Sequence, residues 1–129
     1  MIPKKTFCED KGHVYVVIET PKGSRNKCDY NEMGDFFEVS KILPAGCAFP
    51  LDFGFIPDTK CEDGDPIDVL MLSDSPGYMG MVAKCRVVGI IEATQKEHGK
   101  KKERNDRIIA VVLNSRDHSN VIDSKDINQ

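Results

Sequence analysis

Tryptophan is absent from the sequence, aromatic residues make up only 7% of it, and there is no excess of positive charge. The net charge of −3 gives no general support to non-specific nucleic-acid binding, which depends on Lys and Arg neutralising phosphates. A single-strand binder of the OB type would also need stacking aromatic rings beside a basic groove. Nucleic-acid binding therefore ranks last among the functions considered.

Long apolar runs and closely paired cysteines are also missing. No stretch approaches the roughly 20 apolar residues of a membrane-spanning helix, and residues 1–5 lead into polar residues instead of a secretory core segment. The five cysteines form no C-x-x-C pair, which argues against a zinc ribbon and against a disulfide framework. We expect a cytoplasmic protein with reduced thiols and no membrane partner.

Short β-branched and aromatic segments, ended by Gly and Pro, dominate the chain. Helix is not expected between Pro44 and Pro57, because proline removes a backbone donor and blocks the preceding turn. Residues 94–106 are polar and predict a loop, and only residues 120–127 have a weak helical pattern. The 129 residues therefore predict one mostly β domain, spanning 1–129 and folded as a small closed or partly open barrel with little helix. Its candidate strands are residues 14–20, 36–39, 67–72, 81–93 and 107–113.

The sharpest feature is an acidic cluster formed by Asp63, Asp65 and Asp68. Three carboxylates this close repel one another unless positive charge lies between them. Magnesium prefers carboxylate oxygens and keeps several waters, so a few Asp residues and a substrate phosphate complete its shell. Gly64 and Pro66 favour a turn on which the carboxylates converge. The alternative is an ordinary solvated turn, since Asp, Gly and Pro are the usual turn residues.

Several segments together resemble the soluble, magnesium-dependent inorganic pyrophosphatases. Residues 63–70, Asp-Gly-Asp-Pro-Ile-Asp-Val-Leu, fit the signature of that family throughout. Residues 14–19 resemble the family strand that ends in an active-site Glu, and residues 49–57 resemble its Pro-x-x-aromatic-Gly-aromatic segment. Residues 86–91 and 108–111 are similar to its later barrel strands. The motifs occur in the family's order, from residue 14 to residue 112.

The resemblance implies a five-stranded OB-like barrel that hydrolyses pyrophosphate to two phosphates as a homo-oligomer, with several Mg²⁺ ions. Mn²⁺ or another divalent ion is an alternative to Mg²⁺. Carried over by motif, Asp63 and Asp68 would be direct metal ligands. Asp65 would be a metal ligand and also the base that takes a proton from the attacking water. Glu19 would hold metal-bound water.

Two basic residues, Lys27 and Lys41, fall where the resemblance implies contact with phosphate, and the chemistry of the reaction adds Arg107 as a third cation. There they would stabilise the charge that develops on the leaving phosphate. Without the motif order, each would be interpreted as a solvated surface cation. The further basic run at residues 100–104 is expected to be a solvated hairpin tip in preference to an extra phosphate clamp.

The sequence departs from the family pattern at chemically important positions. Phe49 and Phe53 replace tyrosines, so two hydroxyl donors to phosphate are missing. Lys41 replaces an Arg, which exchanges a bidentate fork for a point charge. Asp29 is one methylene shorter than the family's Glu, and Arg107 stands in the place of a Lys.

The polar segment lacks two carboxylates that the family carries. Gln95 takes the place of the first Asp, with Glu97 as an alternative ligand. The second Asp falls on Asn105, unless the register slips by one and Asp106 serves as the metal ligand. The chain also ends at Gln129, before the family's C-terminal helical region, which is expected to leave an apolar face for a partner subunit. The alternative to hydrolysis is therefore an impaired domain that binds metal and phosphate compounds without efficient turnover.

Overall fold

The structure is a computed structural model that describes residues 2–8, 12–92, 94–95, 103–104 and 106–121. Every regular element in these ranges is a β-strand. The described residues contain no helix that could cross a membrane. The nine strands are β1 (His13–Thr20), β2 (Asn26–Asn31), β3 (Phe36–Ile42), β4 (Asp52–Ile56), β5 (Ile67–Leu72), β6 (Val82–Ile91), β7 (Thr94–Gln95), β8 (Glu103–Arg104) and β9 (Arg107–Val112).

Five of these strands close into a barrel in the order β1-β4-β5-β9-β6, with β6 returning to β1. All neighbours are antiparallel except β5 and β9, which run parallel. Closure gives each barrel strand a hydrogen-bonding neighbour on both sides and leaves no long edge. The predicted mostly β, five-stranded OB-like barrel is thus confirmed.

The barrel interior is filled by alternate residues of its strands. On β1, Val14, Val16 and Ile18 are buried together, and β5 contributes Val69 and Met71. Burying one such side chain completely contributes about 1.5–3 kcal/mol, so this layer is a main source of stability. Because the period of a strand is two, the intervening residues of β5 must lie on the outer face of the barrel. Asp68 is one of them.

A two-stranded hairpin, β2 with β3, is inserted between β1 and β4. Buried hydrogen bonds join it to the end of β1. The Thr20 hydroxyl accepts from the Cys28 N–H and donates to the Cys28 carbonyl, with both oxygen-to-partner distances at 2.9 Å. The Thr20 side chain therefore holds the hairpin against the barrel, and no sequence pattern predicts this contact.

Glu19 occupies a bulge in β1. Ile18 pairs with Gly54 and Thr20 with Phe53, so Glu19 is the additional residue on its strand. A bulge redirects a side chain and increases the local twist. The two strands approach so closely here that a Cβ atom on Gly54 would lie 2.1 Å from the Val17 carbonyl oxygen. Only glycine fits at position 54, and its absence of a side chain permits the bulge geometry.

The strand predictions agree with the structure for β1, β5, β6 and β9 to within two residues at each end, and β3 extends three residues beyond its predicted limit. Four strands were not among the candidates: β2, β4, β7 and β8. The predicted loop at 94–106 is wrong in part, because Thr94–Gln95 pair with Glu103–Arg104. Of the predicted helical tail, Asn120 and Val121 lie in or beside a turn, and the remainder lies outside the described residues.

Candidate active site

One outer face of the barrel carries a row of functional side chains across three strands. Asp68 on β5 pairs with Phe55 on β4 and with Arg107 on β9. Directly paired residues present their side chains on the same face of a sheet. Asp68 thus lies between an aromatic ring and a cation. Its strand follows directly after residues 61–66, which are called the acidic loop below.

The acidic loop is a tight turn built by its own backbone. The Cys61 N–H donates to the Asp65 carbonyl at 2.8 Å, and the Gly64 N–H donates to the Cys61 carbonyl at 3.0 Å. Gly64 has φ of 87°, the left-handed conformation that glycine adopts without strain. One Asp63 carboxylate oxygen accepts from the Asp65 N–H at 2.9 Å. Asp65 is exposed and Asp63 half-buried, so their remaining oxygens can bind a ligand from solvent.

Asp68 is a half-buried carboxyl with charges of both signs around it. Burial is the main cause that raises its pKa to about 6, and Asp63 and Asp65 raise it further. Arg107 and Lys27 act in the opposite direction. Burial and Asp63 also raise the pKa of Asp65. Burial therefore opposes the ionisation of Asp68 more strongly than the neighbouring cations favour it.

Glu19 is buried beside this cluster. Its Oε2 accepts from the Tyr30 N–H at 2.6 Å, so the hairpin fixes its position. Burial raises the pKa of Glu19 to about 7, and Asp29 and Asp68 raise it as well, against the Tyr30 hydrogen bond and Lys27. The barrel and the hairpin thus bring Glu19 and Asp68 close enough to interact, although they are 49 positions apart in the sequence.

Two of the three basic residues predicted for the site interact with its carboxylates. Lys27 lowers the pKa of both Glu19 and Asp68, and Arg107 lowers that of Asp68. Lys41 is exposed and lies directly across the hairpin from Lys27, on the same face. The structure therefore collects two cations at the acidic cluster and places the third beside one of them.

Arg107 has a defined aromatic environment. Its guanidinium carbon lies 6.0 Å from the centroid of the Phe53 ring. Phe49 packs against the same ring in an edge-to-face arrangement, with centroids 6.0 Å apart. The Arg107 Nε is buried without a hydrogen-bond partner in the described part of the chain. No described carboxylate therefore engages this donor.

The remaining predicted residues are those of the polar segment, Gln95, Glu97, Asn105 and Asp106. Asp106 is half-buried and acts on the Cys61 thiol, whose pKa is raised first by burial and then by Asp63, Asp68, Asp106 and Asp65. Gln95 lies in β7, whereas Glu97 and Asn105 lie outside the described residues. Sequence reasoning missed the Tyr30 N–H as a partner of Glu19, since a backbone donor leaves no sequence signal.

The donor set fits a hydrated hard cation. Within the described ranges, no three His, Cys, Asp or Glu side chains form a ready-made arrangement that could hold a metal ion. Mg²⁺ does not require one, because it keeps several waters and is bound through one or two carboxylates plus substrate phosphates. Burial opposes the ionisation of Glu19 and Asp68, and a divalent cation bound beside them would favour their charged forms.

Comparison with known proteins decides the family. A sequence profile described as inorganic pyrophosphatase matches residues 16–129. The chain belongs to the inorganic pyrophosphatase family. Among the pyrophosphatases it resembles, that of Thermus thermophilus is 37% identical over 114 residues, covering 88% of this chain and 62% of the relative. That of Saccharolobus solfataricus is 38% identical over 116 residues, covering 88% of this chain and 64% of the relative.

Solved pyrophosphatase structures share the fold. The Neisseria gonorrhoeae inorganic pyrophosphatase superposes with a TM-score of 0.81 at 34% identity, over 92% of this chain and 66% of that one. The Thermus thermophilus structure gives a TM-score of 0.83 at 32% identity, over 98% of this chain and 69% of that one. The chain thus spans a little under two thirds of the length of the curated pyrophosphatases quoted above.

Proposed function

We propose that this pyrophosphatase-family chain catalyses the magnesium-dependent hydrolysis of inorganic pyrophosphate to two phosphates. The observation that carries the proposal is the outer barrel face on which Asp68 lies between the acidic loop and Arg107, with Glu19 and Lys27 facing it. Pyrophosphate is highly anionic, so catalysis of its cleavage depends mainly on positioning and charge stabilisation. A face with both carboxylates and cations supplies these requirements.

The carboxylates have separate roles in this proposal. Asp63, Asp65 and Asp68 would hold magnesium, with Glu19 and Asp106 supporting it. When bound, magnesium neutralises phosphate charge and lowers the pKa of water. Asp65 is exposed at the tip of the loop, where a water that approaches the substrate can reach it. An Asp within hydrogen-bond reach of that water can accept its proton.

The basic residues bind the substrate and the leaving phosphate. Lys27 and Arg107 already interact with Asp68, and Lys41 lies across the hairpin from Lys27. Arg107 contributes planar N–H donors, and the lysines contribute compact positive charges. Together they stabilise the negative charge that accumulates as the bridging bond breaks.

The direct test is phosphate release by the full chain in millimolar magnesium. Asp65→Asn keeps the size of the side chain and removes the proton acceptor, so we expect release to fall by about 100-fold or more. Asp117→Asn changes an exposed aspartate outside the site and is the matched control. If the unchanged, folded chain releases no more phosphate than a protein-free blank, the proposal is wrong.

A second candidate is a domain that binds metal and pyrophosphate without efficient turnover. The observation that favours it is the pair Phe49 and Phe53, which pack against each other and offer no hydroxyl to phosphate. Titration calorimetry separates the two functions. Binding of magnesium pyrophosphate without phosphate release identifies the second, and binding with release identifies the first.

We further propose that the chain acts as a cytoplasmic homo-oligomer with no nucleic-acid or membrane partner. Association is supported by four exposed apolar side chains on β6, namely Val82, Val87, Ile90 and Ile91. Large exposed apolar patches on soluble proteins commonly mark interfaces. Light scattering on the eluting protein tests this. A mass equal to the 14.4 kDa of one chain would contradict it.

A further inference from the structure

We propose that Phe53 is a positioning residue for Arg107. Its ring holds the guanidinium over the barrel face so that the N–H donors remain available to a phosphate group. The inference rests on the proposed function and extends it, because it assigns a role to a residue that cannot itself hydrogen-bond to the substrate. It is carried by the geometry of three side chains.

The positions of the two residues require an extended Arg107 side chain. Phe53 lies on β4 and Arg107 on β9, with β5 between them. The guanidinium nevertheless reaches to 6.0 Å from the ring centroid, at the outer limit for a cation–π contact. An extended Arg loses rotamer freedom, and an attractive contact at its end offsets that loss. The Phe53 ring supplies that contact.

A ring holds a cation without occupying its hydrogen-bond donors. Asp68 is paired with Arg107 across the strands and could attract the same group, but a carboxylate accepts N–H bonds and would use the donors that a phosphate needs. The Arg107 Nε is buried and has no hydrogen-bond partner among the described residues, so the Asp68 carboxylate does not engage this donor. Phe49 packs edge-on against Phe53 and limits the rotation of its ring.

The chemistry of the pair suits this role. Phe53 has no hydroxyl to offer a phosphate, and Arg107 has planar N–H donors where a lysine would present a compact ammonium group. The ring can therefore act on a phosphate only through the cation that it holds.

The structural part of the inference is tested by NMR without substrate or turnover. In ¹⁵N-labelled protein, the Arg107 Nε–H signal is identified by its loss in Arg107→Lys. We expect Phe53→Leu to move this signal, because the ring current is removed, and Phe53→Tyr to leave it near its original position. Phe7→Leu, which removes an exposed ring from the N-terminal arm, should not move it. If Phe53→Leu leaves the signal in place, the inference is wrong.

The functional part is tested by a double-mutant cycle. Phe53→Leu should raise the KM for magnesium pyrophosphate about tenfold with less than a threefold change in kcat. Phe53→Tyr keeps the ring and should leave the KM near that of the original protein. In the Arg107→Lys background, Phe53→Leu should have less than a twofold effect. An undiminished effect there would overturn the inference. If the chain binds pyrophosphate without cleaving it, the same cycle is read from calorimetric Kd values, so a failure of turnover is distinguished from a failure of this inference.

Discussion

At the level of single residues, Glu19 shows how the fold changes the pKa of an ordinary carboxyl group. The bulge in β1 and the Tyr30 N–H hold it in a buried position near Asp29 and Asp68. Its ionisation is opposed by burial and by those two acids, so its pKa rises from 4.5 to about 7. The metal-free site therefore carries a cost that a bound cation would relieve.

This cost predicts how the stability of the metal-free protein depends on pH. Below pH 4.5, Glu19 is protonated in both the folded and the unfolded chain. Between pH 4.5 and 7 it ionises first in the unfolded chain, so the folded state loses stability as the pH rises, by up to about 3 kcal/mol. Asp68 has the same sign, over a window from 3.8 to about 6. Urea unfolding in EDTA at several pH values measures this decline.

Glu19→Gln isolates the contribution of one group. We expect the variant to be more stable than the original protein at pH 8 and equally stable at pH 4, because Gln does not ionise and can still accept from Tyr30. Magnesium should stabilise the original protein at pH 8 and have less effect on the variant. A free energy of unfolding that rises with pH from 4.5 to 7 in both proteins, by equal amounts, would contradict this explanation.

At the level of elements, the pairing of β1 with β4 depends on Gly54. The neighbouring Val17 carbonyl leaves no room for a Cβ atom, and the pairing places Phe53 and Phe55 on the face that carries Asp68. The same contact allows Glu19 to bulge. One glycine therefore supports both the closure of the barrel and the geometry of the site.

Gly54→Ala should separate these two strands or force the backbone to shift. We expect the free energy of unfolding to fall by about 3 kcal/mol, at the upper end for overpacking, since the clash is with backbone and not with a flexible side chain. Gly46→Ala is the comparison. Position 46 has φ of 87° and open space around it, so its cost should be about 1 kcal/mol. Equal costs for the two variants in urea unfolding would show that the close approach is unimportant.

The elements also show why some strands were predictable and others were not. β1 carries an unbroken run of β-branched and aromatic residues, and only Asp68 interrupts the apolar run of β5. The burial of both strands follows from these patterns. β2 reads Asn-Lys-Cys-Asp-Tyr-Asn, and it is held in place by the Thr20 hydroxyl, a contact that local sequence does not encode. β4 was missed because it is short and contains a glycine. Gly54 is needed there because the backbone of β1, more than thirty residues earlier in the sequence, leaves no room for a Cβ atom.

At the level of the whole molecule, the barrel joins parts of the site that the sequence keeps apart. The three aspartates of the acidic cluster were predictable because they are close together in the sequence, and the order of this motif with the others indicated the family. The approach of Glu19 to Asp68, and of Arg107 to Phe53, depends on strand order and on the parallel pairing of β5 with β9. Such contacts come from topology, and no spacing in the sequence predicts them.

The function proposed for this outer face is to hold divalent cations against a phosphate anion. Its most direct test is a crystal of the full chain grown with Mn²⁺ and imidodiphosphate, which resists hydrolysis. Anomalous scattering should place manganese about 2.2 Å from carboxylate oxygens of Asp63, Asp65 or Asp68, with a phosphate group between the metal and Arg107. Manganese peaks at other carboxylates, with the acidic loop directed into solvent, would contradict this proposal.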